Sequence, residues 1–491
     1  GGTGGATGGS GGATGGTGGT TIDAGTGGTT GTGGAAGSGG ATGGTGGATG
    51  GTGGATGGTG GATGGTGGAT GGTGGATGGT GGTGAMDAAP EAPPAPGAVF
   101  AVGSFAKSGS TGSQTVTHGL GQIPKALILW TIGKTNETQS GGFSYGLGMS
   151  DASASYTVAA STRDGVSPSS AARRTASKAL LMITTSGSSA AVLAEADLPG
   201  WSSTNFSLNW TTNDGQPAIV HYLVIGGPTV TSKLVNWQAP TSAGSKTVTG
   251  IGFQPEAVLH FHAGSGYDQT TPTMVANSFF GLGAMDRSGA QWAIQVTSSH
   301  NESPVSSSRA QRNDSALFMY SEGTSPTVTK DAKFVSMNAD GFTLNFATAN
   351  GTASQIYSLA LGGLKAGVGT FNKTSGASQS VTSGFRPGAV FFSSYQSAAQ
   401  TTSTSIATCS LGLGAGDGTN EASSALVSAD NVSTTVVDGI DKTSKVFVKM
   451  NTPPLDAEAD LASFDPSGFT LNWSTNDAVA SQTCFLALGA P

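Results

Sequence analysis

The chain has 491 residues, a formal net charge of -7 and 88 glycines, and only 10% of its residues are charged. Soluble domains usually carry about 25% charged residues. Such an acidic chain lacks the clustered Lys and Arg with which proteins contact nucleic-acid phosphates, so we expect no nucleic-acid partner. The sequence has no apolar run of about 18 residues, and we expect no membrane insertion.

Residues 1–84 consist almost wholly of Gly, Thr and Ala and hold 46 of the 88 glycines. From Gly43 onward the seven-residue unit GGTGGAT repeats. No side chain here is large enough to build a core, which predicts a fibrous, polyglycine or polyproline-II-like shaft. Because its order must come from hydrogen bonds between chains, we expect self-association into a homo-oligomer or filament. The chain opens on Gly1 without an initiator Met, so we expect it to be processed or to begin part-way through a longer product.

A Pro/Ala hinge over residues 85–98 separates the shaft from a threefold internal repeat. The three copies open alike, with SQTVTHGLGQIPKALILW, SKTVTGIGFQPEAVLHF and SQSVTSGFRPGAVFF. They also close alike, with FSLNWTTNDG, FTLNFATANG and FTLNWSTNDA. These similarities define copy 1 as residues 99–229, copy 2 as residues 230–364 and copy 3 as residues 365–491.

Each copy reads as a series of short strands. The closing motif places Phe206, Leu208 and Trp210 on one face of a strand, since side chains alternate between the faces. Runs 126–130, 257–261 and 389–392 are apolar, and no stretch shows a sustained helical period. We therefore predict an all-β protein of three tandem antiparallel β-sandwiches of jelly-roll-like type. For the G-L-G motifs at 146–148, 281–283 and 412–414 we expect a tight turn or bulge.

Paired carboxylates occur in copies 1 and 3, a pattern typical of glycosidases and calcium sites. The pairs are Glu195 with Asp197 and Glu458 with Asp460, and copy 2 has Asp331 with Lys333 instead. A function shared by the three copies cannot rest on this pair, so we interpret it as solvent-facing residues of a strand. Because neither G-x-S-x-G nor a P-loop is present, we predict no catalytic residue and no enzymatic activity.

Metal and cofactor sites are not predicted either. Of the histidines His118, His221, His260, His262 and His300, only His260 and His262 share a strand face, and no further ligand lies at metal-site spacing. We interpret both as structural. Cys409 and Cys484 leave two states open, one disulfide bridge or two free buried thiols.

Two further features of the sequence are a group of basic residues and the tryptophans. The nearest approach to a basic cluster is formed by Arg163, Arg173, Arg174 and Lys178, and we expect it to be a solvated loop. Among the tryptophans, we expect Trp210 and Trp473 to be core residues. We consider only Trp201 for ligand contact, with core or hinge packing favoured, so the ligand-binding residues stay unknown.

A glycine-rich shaft followed by tandem β-domains resembles the tail fibres and other elongated accessory proteins of tailed bacteriophages. The motifs T-V-T-G-x-G-F-x-P-x-A-V and G-F-T-L-N-W are similar to those of phage structural proteins, over residues 103–491. The seven-residue glycine period departs from the collagen-like triplets usual in such fibres. The resemblance implies no functional residue.

We therefore expect a non-enzymatic structural protein of a virion that presents β-domains for attachment to a host-surface glycan or protein. The alternative is a bacterial extracellular filament subunit or surface adhesin built through its glycine-rich segment. Both interpretations place the protein on a virion, outside the cell or at the cell surface.

Overall fold

The computed structural model describes residues 97–186, 189–264, 273–321, 326–399, 405–450 and 455–491. The predicted shaft and residues 85–96 of the predicted hinge lie outside the described residues. Within these ranges the only regular secondary structure is the β-strand, which confirms the all-β class. Likewise, the described ranges contain no helix that is long and apolar enough to cross a membrane.

Eleven strands are described in each copy. Those of copy 1 are β1 Val99–Ala106, β2 Gly112–Thr117, β3 Pro124–Thr131, β4 Ser140–Gly141, β5 Phe143–Asp151, β6 Ser155–Thr162, β7 Ala171–Ala176, β8 Leu180–Ser186, β9 Ser189–Trp201, β10 Asn205–Thr212 and β11 Ile219–Gly226. Those of copy 2 are β12 Thr231–Ala239, β13 Gly244–Thr249, β14 Ala257–His262, β15 Val275–Ala276, β16 Ser278–Asp286, β17 Gln291–Ser298, β18 Ser307–Arg312, β19 Leu317–Tyr320, β20 Val328–Asn338, β21 Gly341–Ala349 and β22 Ser354–Gly362. Those of copy 3 are β23 Lys365–Asn372, β24 Ser378–Thr382, β25 Ala389–Ser394, β26 Ile406–Ala407, β27 Cys409–Gly416, β28 Glu421–Ser428, β29 Val437–Lys442, β30 Phe447–Lys449, β31 Ala457–Asp465, β32 Gly468–Thr475 and β33 Gln482–Gly489.

The strands form three pairs of antiparallel sheets with matching strand orders. The seven-stranded sheets have the orders β1-β11-β3-β5-β6-β7-β15, β12-β22-β14-β16-β17-β18-β26 and β23-β33-β25-β27-β28-β29-β4. The four-stranded sheets have the orders β2-β10-β9-β8, β13-β21-β20-β19 and β24-β32-β31-β30. In each pair the two sheets pack against each other, so the architecture is β-sandwich-like.

The sandwich interior is built from the alternating residues of the closing strand. Phe206, Leu208 and Trp210 are 0%, 0% and 1% exposed, as their alternation predicts. They share one core cluster with Val220 and Val224 of β11. Full burial of a side chain of this size stabilises a fold by about 1.5–3 kcal/mol, so the alternation fixes which face of the strand is buried.

The G-L-G motifs lie in the middle of strands β5, β16 and β27, so the expected turn or bulge was wrong. The reason is a close approach to the chain segment just before the facing four-stranded sheet. A Cβ atom at Gly148 would lie 1.8 Å from the carbonyl oxygen of Ala179, and one at Gly283 would lie 2.0 Å from that of Ala316. Only glycine leaves room for this backbone contact.

The three copies close into a ring by exchanging short strands. Strand β15 of copy 2 pairs with β7 of copy 1, β26 of copy 3 pairs with β18 of copy 2, and β4 of copy 1 pairs with β29 of copy 3. One core cluster includes residues from all three copies, among them Trp130, Phe280 and Phe391. We call the contacts between copies the 1/2, 2/3 and 3/1 interfaces.

Candidate functional site at the copy interfaces

Each interface is closed by an aspartate that stands three residues after the second glycine of the G-L-G motif. Its Oδ2 atom accepts a hydrogen bond from a backbone N–H in the first strand of the next copy. The donor and acceptor pairs are Leu234 with Asp151 at 2.7 Å, Val368 with Asp286 at 2.8 Å and Val102 with Asp417 at 2.8 Å. The Oδ1 atom caps the turn after its own strand, as in Asp151, which accepts from the N–H of Ser153 at 2.6 Å. One carboxylate therefore organises a turn and an interface at once.

A second repeated contact uses different residue types at equivalent positions. Side-chain acceptors in a loop receive the N–H at the start of a strand of the neighbouring copy. The pairs are Val437 to Asp164 at 2.8 Å, Ala171 to His300 at 3.1 Å and Ser307 to Asp430 at 2.7 Å. The interface requires an acceptor at this position, and His300 supplies one through Nδ1.

An arginine or lysine side chain binds the backbone carbonyl groups at the end of each exchanged strand. Arg173 donates to the carbonyl of Ala276 at 2.6 Å, and Arg309 donates to that of Thr408 at 2.9 Å. Copy 3 has Gly439 at the equivalent position, and Lys134 of copy 1 contacts the carbonyl of Ser140 at 2.7 Å instead. At the 3/1 interface the positively charged side chain therefore belongs to the copy that contributes the exchanged strand, whereas at the other two interfaces it belongs to the neighbouring copy.

The structure corrects the interpretation of the basic cluster as a solvated loop. Arg173 is only 3% exposed and lies over the ring of Phe279, 5.5 Å from its centroid. Arg174 lies beside Glu195 at 4.0 Å, and Lys178 pairs with Asp197 at 2.9 Å, whereas Arg163 is exposed. The four residues do not form one solvated group, because β7 buries one arginine at an interface and leaves its neighbours in ion pairs.

A cleft opens at each interface, between the aspartate-capped turn of one copy and the first strand of the next. The volumes are about 510 Å³ at the 1/2 interface, 380 Å³ at the 2/3 interface and 450 Å³ at the 3/1 interface. Their linings differ in chemistry. Lys233 and Lys246 line the first cleft, Phe385 and Phe485 the second, and Ser104 and Glu421 the third.

The 3/1 interface contains a chain of three hydrogen-bonding side chains. The hydroxyl of Ser104, on β1, lies 2.6 Å from Nδ1 of His221, its cross-strand neighbour on β11. Nε2 of His221 lies 3.1 Å from Oδ1 of Asp441, on β29 of copy 3. His221 and Asp441 are fully buried, whereas Ser104 is partly exposed and lines the cleft. The carboxylate also accepts from the hydroxyl of Ser424 at 2.6 Å.

The other two interfaces do without this arrangement. Tyr357 occupies the position of His221 in copy 2, and its hydroxyl lies 3.0 Å from the hydroxyl of Thr175 in copy 1. In copy 3 the same position is Cys484, which is free and buried. The fold therefore does not require a histidine and an aspartate at this place.

Sequence reasoning missed Ser104 and Asp441 and treated His221 as one histidine among five. Ser104 and His221 are 117 residues apart, and His221 and Asp441 are 220 apart, so no local motif joins them. One signal was available: alignment of the copies sets His221 against Tyr357 and Cys484, which marks it as specific to copy 1.

Glu421 is a second titratable group of the 3/1 cleft. Its Oε1 atom accepts from the N–H of Leu461 at 2.7 Å, while its Oε2 atom is buried and has no hydrogen-bond partner among the described residues. Burial, as the largest cause, raises the pKa of Glu421 to about 7. In copy 2 the equivalent contact is made by Gln291, which accepts from the N–H of Phe334 at 2.8 Å.

The paired carboxylates of copies 1 and 3 belong to surface ion pairs. Asp460 pairs with Lys445 at 2.8 Å, as Asp197 does with Lys178. In copy 2, Lys333 pairs with Asp314 at 2.8 Å, so an ion pair of opposite polarity lies beside the same strand, with its acidic partner one residue before the position of Lys178. The substitution in copy 2 that argued against a shared carboxylate site thus preserves an ion pair.

His260 and His262 are both fully buried, and burial lowers the pKa of each to about 3. Nδ1 of His260 lies 2.7 Å from the hydroxyl of Ser358, and Nδ1 of His262 accepts from the N–H of Gly264 at 3.2 Å. Among the residues with described positions, no three His, Cys, Asp or Glu side chains cluster as metal ligands would. The structure leaves Cys409 and Cys484 unbridged.

The tryptophans are placed as follows. Trp210 and Trp473 belong to core clusters and are 1% and 6% exposed, which confirms their prediction. Trp201 is partly buried and packs against the core of copy 1.

No protein-family model matches the chain, and no curated protein or solved structure matches it significantly. Function must therefore be inferred from the ring and its three clefts.

Proposed function

We propose that the chain is a fibrous structural and attachment protein of a tailed-phage virion. In this proposal three jelly-roll-like β-sandwiches form the head, and the glycine-rich segment 1–84 forms the shaft. The observation that carries it is the closed ring of related copies, with a cleft at every interface. Several weak sites held in fixed geometry bind a surface of repeated receptors more tightly than one site does. Attachment of this kind requires no turnover.

The amino-acid composition of residues 1–84 supports the proposal of a shaft. A segment without large side chains has no core of its own, so its order depends on hydrogen bonds to neighbouring chains. We propose that the glycine-rich segments associate with one another and multiply the number of heads. The partner on the host is a surface glycan or protein, and the protein resides on the virion or outside the cell.

Mass measurement tests the assembly. Sedimentation would compare the full chain with one beginning at Ala88, the first residue of the compact unit 88–491. We expect a defined oligomer for the full chain and a monomer for the shorter chain. A monomeric full chain at high concentration would contradict the shaft.

Cell binding tests attachment. Fluorescently labelled full chain, incubated with a panel of bacterial strains, should bind some strains saturably and others not at all. The alternative, a bacterial filament subunit or adhesin, predicts open-ended polymers in electron micrographs. Uniform absence of binding across the panel, together with such polymers, would favour that alternative.

A further inference from the structure

We propose that Ser104, His221 and Asp441 form a catalytic triad that hydrolyses small carboxylic esters in the 3/1 cleft. This activity goes beyond attachment and revises the expectation of a head without chemistry at one of its three clefts. The three roles are nucleophile for Ser104, general base for His221 and orienting carboxylate for Asp441.

The hydrogen bonds set the protonation pattern that such a triad requires. Asp441 accepts from Nε2 of His221 at 3.1 Å, which fixes the proton on Nε2 and leaves the lone pair of Nδ1 directed at Ser104. The Ser104 hydroxyl is 2.6 Å from that nitrogen, within the range for proton transfer. Trp130 packs beside the imidazole, with ring centroids 5.3 Å apart, and restrains it. The roles of the two ring nitrogens are exchanged relative to a serine protease, and either nitrogen can act as the base.

An oxyanion donor is available at the same residue. Strand β1 is the last strand of its sheet, so alternate N–H groups project from the open edge. The N–H of Val102 points this way, because it donates to Asp417 of copy 3. The N–H of Ser104, two residues further along, projects to the same side, and Ser104 lines the cleft. A carbonyl oxygen bound there would receive a backbone hydrogen bond as charge develops on it.

The comparison of copies shows that packing alone does not explain the triad. A buried carboxylate is costly to desolvate, and the other two interfaces place Tyr357 and Cys484 where His221 stands. Asn236 and Thr370 take the position of Ser104. Among the described residues, a hydroxyl, an imidazole and a carboxylate form one hydrogen-bonded chain beside a cleft at the 3/1 interface alone.

The reaction balances with water as the only co-reactant. The oxygen of Ser104 attacks the ester carbonyl carbon while its proton moves to Nδ1 of His221. The bond from carbon to the alcohol oxygen then breaks, and the alcohol leaves with that proton. Water gives a proton to Nδ1, attacks the acyl group on Ser104 and releases the carboxylic acid, after which the serine recovers its proton.

The test uses the full chain with a fluorophosphonate, which labels activated serines, and with p-nitrophenyl acetate. We expect one label per chain, mapped by mass spectrometry to Ser104, and ester hydrolysis that falls by about 100-fold or more in Ser104→Ala. Thr370→Ala, the matched change in copy 3, should leave labelling and hydrolysis unchanged. Far-UV circular dichroism checks that both variants are folded.

Two results would overturn the proposal. One is a wild-type chain that stays unlabelled under conditions that label a known serine esterase. The other is hydrolysis that survives in folded Ser104→Ala. Neither result bears on cell binding, so failure of this inference is distinguishable from failure of the attachment role.

Discussion

The 3/1 interface differs from the 1/2 and 2/3 interfaces in how its two sides are held together. The backbone runs directly from copy 1 into copy 2 and from copy 2 into copy 3, whereas copies 3 and 1 meet only through non-covalent contacts. It is also the interface with a fully buried imidazole and carboxylate. Three related surfaces therefore serve different purposes: two connect consecutive copies, and the third closes the ring.

The largest difference should appear when the buried carboxylate is removed. Asp441→Ala leaves three buried donors, the Nε2–H of His221, the hydroxyl of Ser424 and the backbone N–H of Lys134, without their acceptor. Each unsatisfied buried donor costs about 1–3 kcal/mol, so we expect a loss of about 3–5 kcal/mol in the free energy of unfolding. The matched change at the 1/2 interface, Thr175→Val, removes a neutral partner of Tyr357 and should cost about 1–3 kcal/mol. Urea titration of the full-length variants measures both. A smaller loss for Asp441→Ala than for Thr175→Val would contradict the distinction between the interfaces.

The next effect concerns the repeated aspartates. In Asp417→Ala the first strand of copy 1 loses its hydrogen bond from Val102 to copy 3, and no covalent connection holds the two sides together. We expect hydrogen exchange at Val102 to accelerate by about 10–100-fold, which corresponds to the loss of one charged hydrogen bond. In Asp286→Ala the amide of Val368 should accelerate less, because the backbone still joins copies 2 and 3. Equal acceleration at the two sites would show that covalent linkage is irrelevant to interface opening.

How far could the sequence have predicted these differences? The strands follow from local alternation, as Phe206, Leu208 and Trp210 illustrate, and threefold similarity identifies the copies. The aspartate three residues after each G-L-G motif recurs in all three copies, so the sequence alone could have predicted a shared structural role for it. The sequence could not show that Lys134 replaces the arginine at the 3/1 interface. The lysine lies in copy 1, far in sequence from the glycine that stands at the arginine position of copy 3. Contacts such as Val102 with Asp417, 315 residues apart, have no local pattern.

A pH-dependent effect should distinguish the 3/1 cleft from the 2/3 cleft. The pKa of Glu421 is about 7 in the folded protein against 4.5 ordinarily, so folding favours its protonated form. Its contribution to stability is therefore fully present below about pH 4.5 and is lost as the pH rises towards about 7. Glu421→Gln, which copies Gln291 of copy 2, should raise the melting temperature above pH 7 and leave it nearly unchanged near pH 4.5. The difference between variant and wild type, measured across this range, isolates Glu421 from other titrating groups. A difference that does not vary with pH would refute the assignment.

The smallest effect is expected at the surface ion pairs. Copy 2 carries an ion pair of opposite polarity beside the equivalent strand, and exposed pairs contribute little, so the double variant Lys178→Asp with Asp197→Lys should unfold within about 0.5 kcal/mol of wild type. Each single variant places like charges together and should cost up to about 1 kcal/mol. Thermal melts of the three variants measure the coupling. A double variant that is less stable than either single variant would show that the bridge depends on its polarity.

The central claim is that residues 97–491 form one closed ring and not three independent β-sandwiches. Equilibrium urea unfolding of the full chain, followed by tryptophan fluorescence and far-UV circular dichroism, tests it most directly. We predict one transition that coincides in both signals and that Asp441→Ala shifts as a whole. Separate transitions, of which Asp441→Ala moves only one, would contradict the ring.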